Sequence, residues 1–210
     1  MAKTKCFDDY VDRYEQWFKD YSWVYQTELN ALSSLNIDKG EGIEIGTGTG
    51  LFAQPLGIKW GVEPSLEMLK IAKNRGVNTI RGIAEQLPLK AQSFDVVLLV
   101  TVVCFLDDIN AGFKECRRIL KPGGRLVVGF VDADSPLGKL YQKFKNDNVF
   151  YRLAEFQSVN RIAKIMQNNK FKLISVRQTV FGELDQIKDI QEYRSGHGEG
   201  GFAVMEASPV

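Results

Sequence analysis

Residues 42–50 read Gly-Ile-Glu-Ile-Gly-Thr-Gly-Thr-Gly, an apolar strand pattern that runs into three glycines at alternate positions. Glycine tolerates backbone conformations closed to other residues and lets a backbone approach a ligand without Cβ interference. The segment therefore predicts a strand that turns sharply at its carboxyl end, with exposed N–H groups facing a polar ligand. Spacing narrows that ligand. A dinucleotide cradle asks for GxGxxG, whereas here Gly50 follows Gly48 by two residues and Leu51 comes next.

The surrounding pattern supplies a sheet for this turn. Short apolar runs at Gly42–Ile45, Trp60–Glu63, Thr79–Ile80, Phe94–Thr101, Arg125–Val131, Phe171–Val180 and Gly201–Ala207 predict seven strands. Helical spacing appears in a lead-in over residues 7–35, then at Ser65–Arg75, Asp108–Leu120 and Ser158–Asn168, with a short helix after the glycine turn interrupted by Pro55 and Gly57. Alternating strands and helices predict an α/β fold with a mostly parallel sheet. The final strand is expected to close an antiparallel hairpin at a sheet edge. Residues 132–157 and 182–200 are expected to be irregular connections, which in compact domains often serve as lids or binding loops.

Composition excludes several classes. Of 210 residues, 27 are basic and 26 acidic, and no basic tract interleaved with aromatics occurs, so nucleic acid is not an expected partner. Cys6, Cys104 and Cys116 are widely spaced and only one histidine is present, which predicts neither a disulfide framework nor a metal site. The apolar stretch Val96–Leu106 is too short to span a bilayer, which needs about 20 residues. The charged, aromatic start does not read as a signal peptide, so a cytoplasmic location is expected.

Glu63 ends the second strand, where a carboxylate can accept hydrogen bonds from both hydroxyls of an unphosphorylated ribose; it can equally cap the helix that follows. Glu44 can receive an ammonium group of the ligand or hold the N–H groups of the glycine loop. His197, in Ser195-Gly196-His197-Gly198-Glu199, is the candidate general base, against the reading of a solvated turn residue. Cys104 reads as core. The aromatics Tyr10, Tyr14, Trp17 and Trp23 can close over a cationic ligand or simply pack.

Four segments in order, EIGTGTG, GVEPSLEML, GIAEQLPLKAQSFDVVLLV and LDDINAGFKECRRILKPGGRLVV, resemble class I S-adenosylmethionine-dependent methyltransferases. The resemblance spans roughly residues 40–130 and is strongest to the small-molecule branch that includes menaquinone and ubiquinone C-methyltransferases. It implies a Rossmann-like, mostly parallel seven-stranded sheet with helices on both faces and an antiparallel last strand. It also implies one methyltransferase domain over residues 1–210, divided into a helical lead-in (1–39), a cofactor-binding core (40–131), and a substrate cover with sheet completion (132–210).

The implied cofactor is S-adenosylmethionine, with S-adenosylhomocysteine as product and no metal, and the implied chemistry is in-line methyl transfer to a small-molecule acceptor. Gly46, Thr47, Gly48 and Gly50 would wrap the methionine part, and Glu63 would hold the ribose. Pro64, Met68, Ala84 and Glu85 would meet the adenine, and Val100, Thr101 and Phe105 would lie near the sulfonium. Tyr14, in DRYEQWF, resembles a lead-in tyrosine of related enzymes. Two other readings stay open on sequence alone: a non-catalytic S-adenosylmethionine sensor, and an NAD-dependent oxidoreductase, against which Leu51 and Pro55 argue.

Overall fold

The computed structural model describes residues 4–210, so the first three residues of the expected lead-in lie outside it. Among these described residues eight strands form one sheet. They are β1 (Gly42–Ile45), β2 (Trp60–Glu63), β3 (Asn78–Arg81), β4 (Phe94–Val100), β5 (Leu120–Val131), β6 (Phe171–Thr179), β7 (Arg194–Ser195) and β8 (Phe202–Pro209). Their order is β3-β2-β1-β4-β5-β8-β6-β7. The first five pair in parallel, β8 lies antiparallel between β5 and β6, and β7 pairs antiparallel with β6.

Two expectations are corrected. The sheet has eight strands rather than seven, because the two-residue β7 is exposed and polar and leaves no apolar run to read. The last strand is interior rather than at an edge. Phe202, Ala203, Val204 and Met205 are all buried, so consecutive residues need cover on both faces of the sheet, which an interior position with helices on each side provides.

Among the described residues seven α-helices surround the sheet: α1 (Lys5–Asp9), α2 (Val11–Asp20), α3 (Ser22–Ser33), α4 (Leu66–Asn74), α5 (Ile109–Ile119), α6 (Pro136–Phe144) and α7 (Val159–Asn168). The expected single lead-in is broken at Tyr10 and Tyr21, whose backbones leave helical geometry (φ −129°, ψ 33° and φ −108°, ψ 44°). Ser65, Asp108, Ser135 and Ser158 begin α4, α5, α6 and α7 by accepting the N–H three residues on. Residues 51–57 form successive turns instead of a short helix. Pro55 removes a donor there and Gly57 adopts φ +71°. Among the described residues no helix is long and apolar enough to cross a membrane.

Alternation along the central strands divides the core. Val97 and Leu99 of β4, with Leu126 and Val128 of β5, pack with Phe113 and Cys116 of α5 and Ile162 and Met166 of α7. Val96, Leu98 and Val100, with Val127, pack on the opposite face with Leu29 and Leu32 of α3 and Ala72 of α4. Arg125 locks α3 to the sheet, pairing with Glu206 at 2.8 Å and donating to the Leu35 carbonyl at 2.9 Å.

The cover over residues 132–157 docks through Gly138 of α6. A Cβ there would stand 2.0 Å from the Asp132 carbonyl oxygen, a backbone atom that cannot swing away. Gly138→Ala is expected to destabilise the protein by about 2–3 kcal/mol, lowering the melting temperature by roughly 5 °C or more in calorimetry. Limited proteolysis should then cut within 132–157 first.

Candidate active site

The glycine turn leaves β1 at the centre of the sheet, beside the end of β4. Gly46, Gly48 and Gly50 have φ of +74°, +53° and +81°, a region that disfavours side chains. Gly46 also meets a packing limit, since a Cβ would lie 2.4 Å from Cγ2 of Val102 in the turn after β4. Four of the loop's N–H groups are taken up within the protein rather than offered to a ligand. Gly46 and Thr47 donate to the Val62 carbonyl at 2.8 and 3.0 Å, and Gly50 to the Thr47 carbonyl at 2.8 Å. Gly48 donates to Oε2 of Glu63 at 3.1 Å. With these donors satisfied and no helix following, the turn is not a pyrophosphate cradle.

Glu63 joins loop and helix. Its second oxygen accepts the Ser65 N–H at 2.9 Å. Burial pushes this carboxyl up to about 7, against the lowering effect of the two N–H bonds. Glu63 thus steadies the start of α4 and also lines the cavity beside the loop.

That cavity is lined by Tyr14, Gly46, Gly48, Glu63, Pro64 and Met68. The same lining includes Ala84, Glu85, Val100, Thr101 and Phe105, so eleven of the fourteen expected cofactor residues converge. Glu44, Thr47 and Gly50 stand behind the loop. Glu44 is fully buried and accepts the Thr47 hydroxyl at 2.9 Å and the Ala53 N–H; burial pushes it up to about 8. It holds the loop's own groups. Gly50 packs against Val77 and Ala72, with a would-be Cβ at 3.1 and 3.4 Å. Glu85 does more than line the wall, accepting the Asp107 and Asp108 N–H groups at 2.8 and 3.3 Å and fixing the turn before α5.

Tyr14 reaches the loop through a lock that joins α2 to the end of α4. Arg75 donates to Glu15 at 3.0 Å and to the Thr49 carbonyl at 2.7 Å, while the Thr49 hydroxyl bonds Glu15. The Tyr14 hydroxyl consequently stands 3.3 Å from the position of a Gly48 Cβ. Burial raises its pKa far above the ordinary phenol value.

A second cavity of about 250 Å³ adjoins the first, with Phe7, Tyr14, Thr101 and Phe105 in the walls of both. Phe7 meets Phe105 edge-on at 5.1 Å and stacks on Phe150 at 5.4 Å. Trp17 and Phe18 of α2 line it further, with Tyr141, Tyr151 and Phe156 from residues 132–157. Cys104, read as core, lines it too, with Sγ 3.6 Å from the Thr101 carbonyl. Tyr10 and Trp23 are exposed. Thr101 itself has φ +53°, a left-handed conformation that costs a β-branched residue about 1–3 kcal/mol, and it sits at the junction of the two cavities.

His197 lines neither cavity. Its Nδ1 stands 3.8 Å from Oδ2 of the buried Asp132, whose other oxygen accepts the Asp134 and Val159 N–H groups, both at 3.2 Å. Lys139, Lys143 and Arg152 are exposed, and Lys145 donates to the Ala154 carbonyl at 3.0 Å.

Sequence reasoning missed Phe7, Ile83, Asp107 and Glu28. The signal for Glu28 was present, as a carboxylate within the stripe Val24, Ala31, Leu32 and Leu35 that α3 and its end bury. Glu28 is 6% exposed and lines the second cavity.

Comparison with known proteins agrees with this geometry. Residues 43–128 match the methyltransferase domain family. A crystal structure of an S-adenosylmethionine-dependent methyltransferase from Thermotoga maritima, described as a possible histamine N-methyltransferase, shares 44% identity and a TM-score of 0.96, covering 99% of this chain and 100% of the other. An uncharacterized protein of Methanocaldococcus jannaschii is 40% identical over 204 residues, 97% of this chain and 98% of its own. A demethylmenaquinone methyltransferase of Chlorobaculum tepidum is 30% identical over 156 residues, 62% of this chain and 64% of its own. The chain belongs to the class I S-adenosylmethionine-dependent methyltransferases, and it is an enzyme of that class.

Burial alone pushes Glu28 up to about 8. An acid raised in the folded state keeps a proton that the unfolded chain releases, so stability falls as pH climbs from the ordinary carboxyl value to about 8. Glu28→Gln removes that penalty. In the ligand-free protein it is expected to raise the melting temperature by about 2 °C or more at pH 9 and to change it little at pH 5, by scanning calorimetry.

Proposed function

We propose that this enzyme binds S-adenosylmethionine in the first cavity and transfers its methyl group in line to a small molecule held in the second. The observation that carries this reading is the wall the two cavities share. Phe7, Tyr14, Thr101 and Phe105 would frame the junction at which the acceptor's nucleophile and the donor's methyl group come into direct contact. The loop residues Gly46 and Gly48 supply a surface without Cβ atoms for the methionine part. Glu63 retains acceptor capacity for ribose hydroxyls, and Pro64, Met68, Ala84 and Glu85 supply the adenine side. Bound there, S-adenosylmethionine supplies a methyl group already activated on a positively charged sulfur.

What the chain adds is position and dryness. Holding two reactants in attack geometry supplies roughly 7–11 kcal/mol of barrier lowering. The aromatic walls of the second cavity exclude water. The acceptor is a small molecule rather than nucleic acid, because this enclosed cavity has a single basic residue, Arg13, on its wall and no cationic groove for a phosphate backbone. The relative described as a possible histamine N-methyltransferase supports a compact acceptor. His197, outside both cavities, receives no role in the transfer.

Titration calorimetry tests the donor site: S-adenosylhomocysteine is expected to bind and NAD to give no heat. Glu63→Gln, which trades one acceptor oxygen for a donor, should weaken S-adenosylhomocysteine roughly tenfold or more. Absence of S-adenosylhomocysteine binding to the wild-type chain would refute the reading. Thr101→Gly relieves the left-handed strain at the junction and should keep or raise the melting temperature. Because it also opens the shared wall, labelled methyl transfer by this variant is expected to fall about tenfold.

A further inference from the structure

Glu28 is the feature of the second cavity that packing does not explain. A leucine at this point of α3 would bury without penalty, whereas a carboxylate out of water carries a large desolvation cost unless paired. Glu28 makes no hydrogen bond or ion pair within the described chain, and burial is the sole influence on its titration. Arg13 and Asp20, the other charged residues on this wall, are exposed. Once Glu28 gives up its proton, one basic and two acidic groups leave the lining with an excess of negative charge, and a bound cation would favour that ionised form.

The rings around it sharpen the chemistry. Tyr141, Tyr151 and Phe156 form one cluster, with centroid separations of 4.9, 6.2 and 5.5 Å. Trp17 and Phe18 of α2 line the cavity as well, with centroids 4.9 Å apart. Aromatic faces attract cations, and more strongly where water is excluded. An unpaired carboxylate among such rings is complementary to a positively charged nitrogen with an apolar body.

We propose that Glu28 is the recognition residue for the acceptor, and that the acceptor carries a basic nitrogen bound there as an ammonium group. Glu28 is absent from the wall shared with the first cavity, so it holds one end of the molecule while the atom that receives the methyl group lies at the other. It is a positioning residue for the transfer. This inference rests on the second cavity being the acceptor site.

The test uses the full chain saturated with S-adenosylhomocysteine and three isosteric probes: 2-phenylethylamine, 2-phenylethanol and phenylacetate. Calorimetry is expected to show the amine binding roughly 30-fold or more tighter than the alcohol, and phenylacetate not binding. Glu28→Gln should abolish the preference for the amine and Glu28→Asp should retain part of it, both with unchanged affinity for S-adenosylhomocysteine. Equal binding of amine and alcohol, a preference for phenylacetate, binding of none of the three, or an amine preference that survives Glu28→Gln would each overturn the proposal. If Glu28→Gln does not fold, judged by loss of S-adenosylhomocysteine binding, the wild-type comparison and Glu28→Asp decide. Failure of the wild-type chain to bind S-adenosylhomocysteine would instead remove the underlying reading.

Discussion

The close approach of the loop after β1 to the turn after β4 governs the arrangement of this enzyme. The two strands are neighbours in parallel, buried on both faces, and end at the same edge of the sheet, so their connecting loops compete for one space. Gly46 resolves the competition. A Cβ there would collide with Val102, and its absence lets the glycine turn fold back onto the Val62 carbonyl. Glu63 then follows from β2 to accept the Gly48 N–H, and Thr101 is driven into a left-handed conformation where β4 gives way to its turn. Cavity wall, carboxylate and strained junction are consequences of one steric constraint.

The lead-in helices complete what the sheet begins. Alone, α1 and α2 are too short to persist in water, since isolated helices under about 12–15 residues are marginal. Docking holds them. Arg75 and Thr49 hold Glu15, Ser65 bonds Asp8 at 2.5 Å, and the Tyr25 hydroxyl bonds the Leu51 carbonyl. Each tether ends on the glycine loop or beside α4, so the helices that carry Phe7 and Tyr14 are registered against the first cavity, and α2 and α3 present Trp17, Phe18 and Glu28 to the second. The cover from β5 closes the opposite side through α6, whose entry depends on Gly138.

Much of the first cavity was legible because its residues fall in short contiguous segments and their conformational demands are local. Alternate glycines announce positive φ, an acid after an apolar strand announces a carboxylate at a strand end, and Ser65 announces the start of α4. The parts that were misread depend on partners distant in sequence. The N–H groups of the glycine turn seemed open in one dimension, yet they are satisfied by β2 and Glu63 once β1 and β2 pair. Glu44 has the same residue type as Glu63 at a comparable place, but the pleat turns it away from the cavity toward Thr47 and Ala53. His197 drew attention as the sole histidine, and the chain path sets it beside Asp132 instead of in either cavity.

Strand and helix periods, the caps, and the order of the glycine turn, the β2 acid and the β4 run were determined by the sequence alone, because these features arise from backbone sterics and from burying one face or two. The interior position of β8, the existence of β7, the break-up of the lead-in and the second cavity were decided only by tertiary structure. The second cavity draws walls from α1, α2, α3, the turn after β4, β5 and residues 132–157, segments separated by up to most of the chain. No local pattern encodes their meeting. Glu28 illustrates the difference: in sequence it is one carboxylate in a helix, and only packing removes its water, withholds a partner and turns it toward a cavity of aromatic rings.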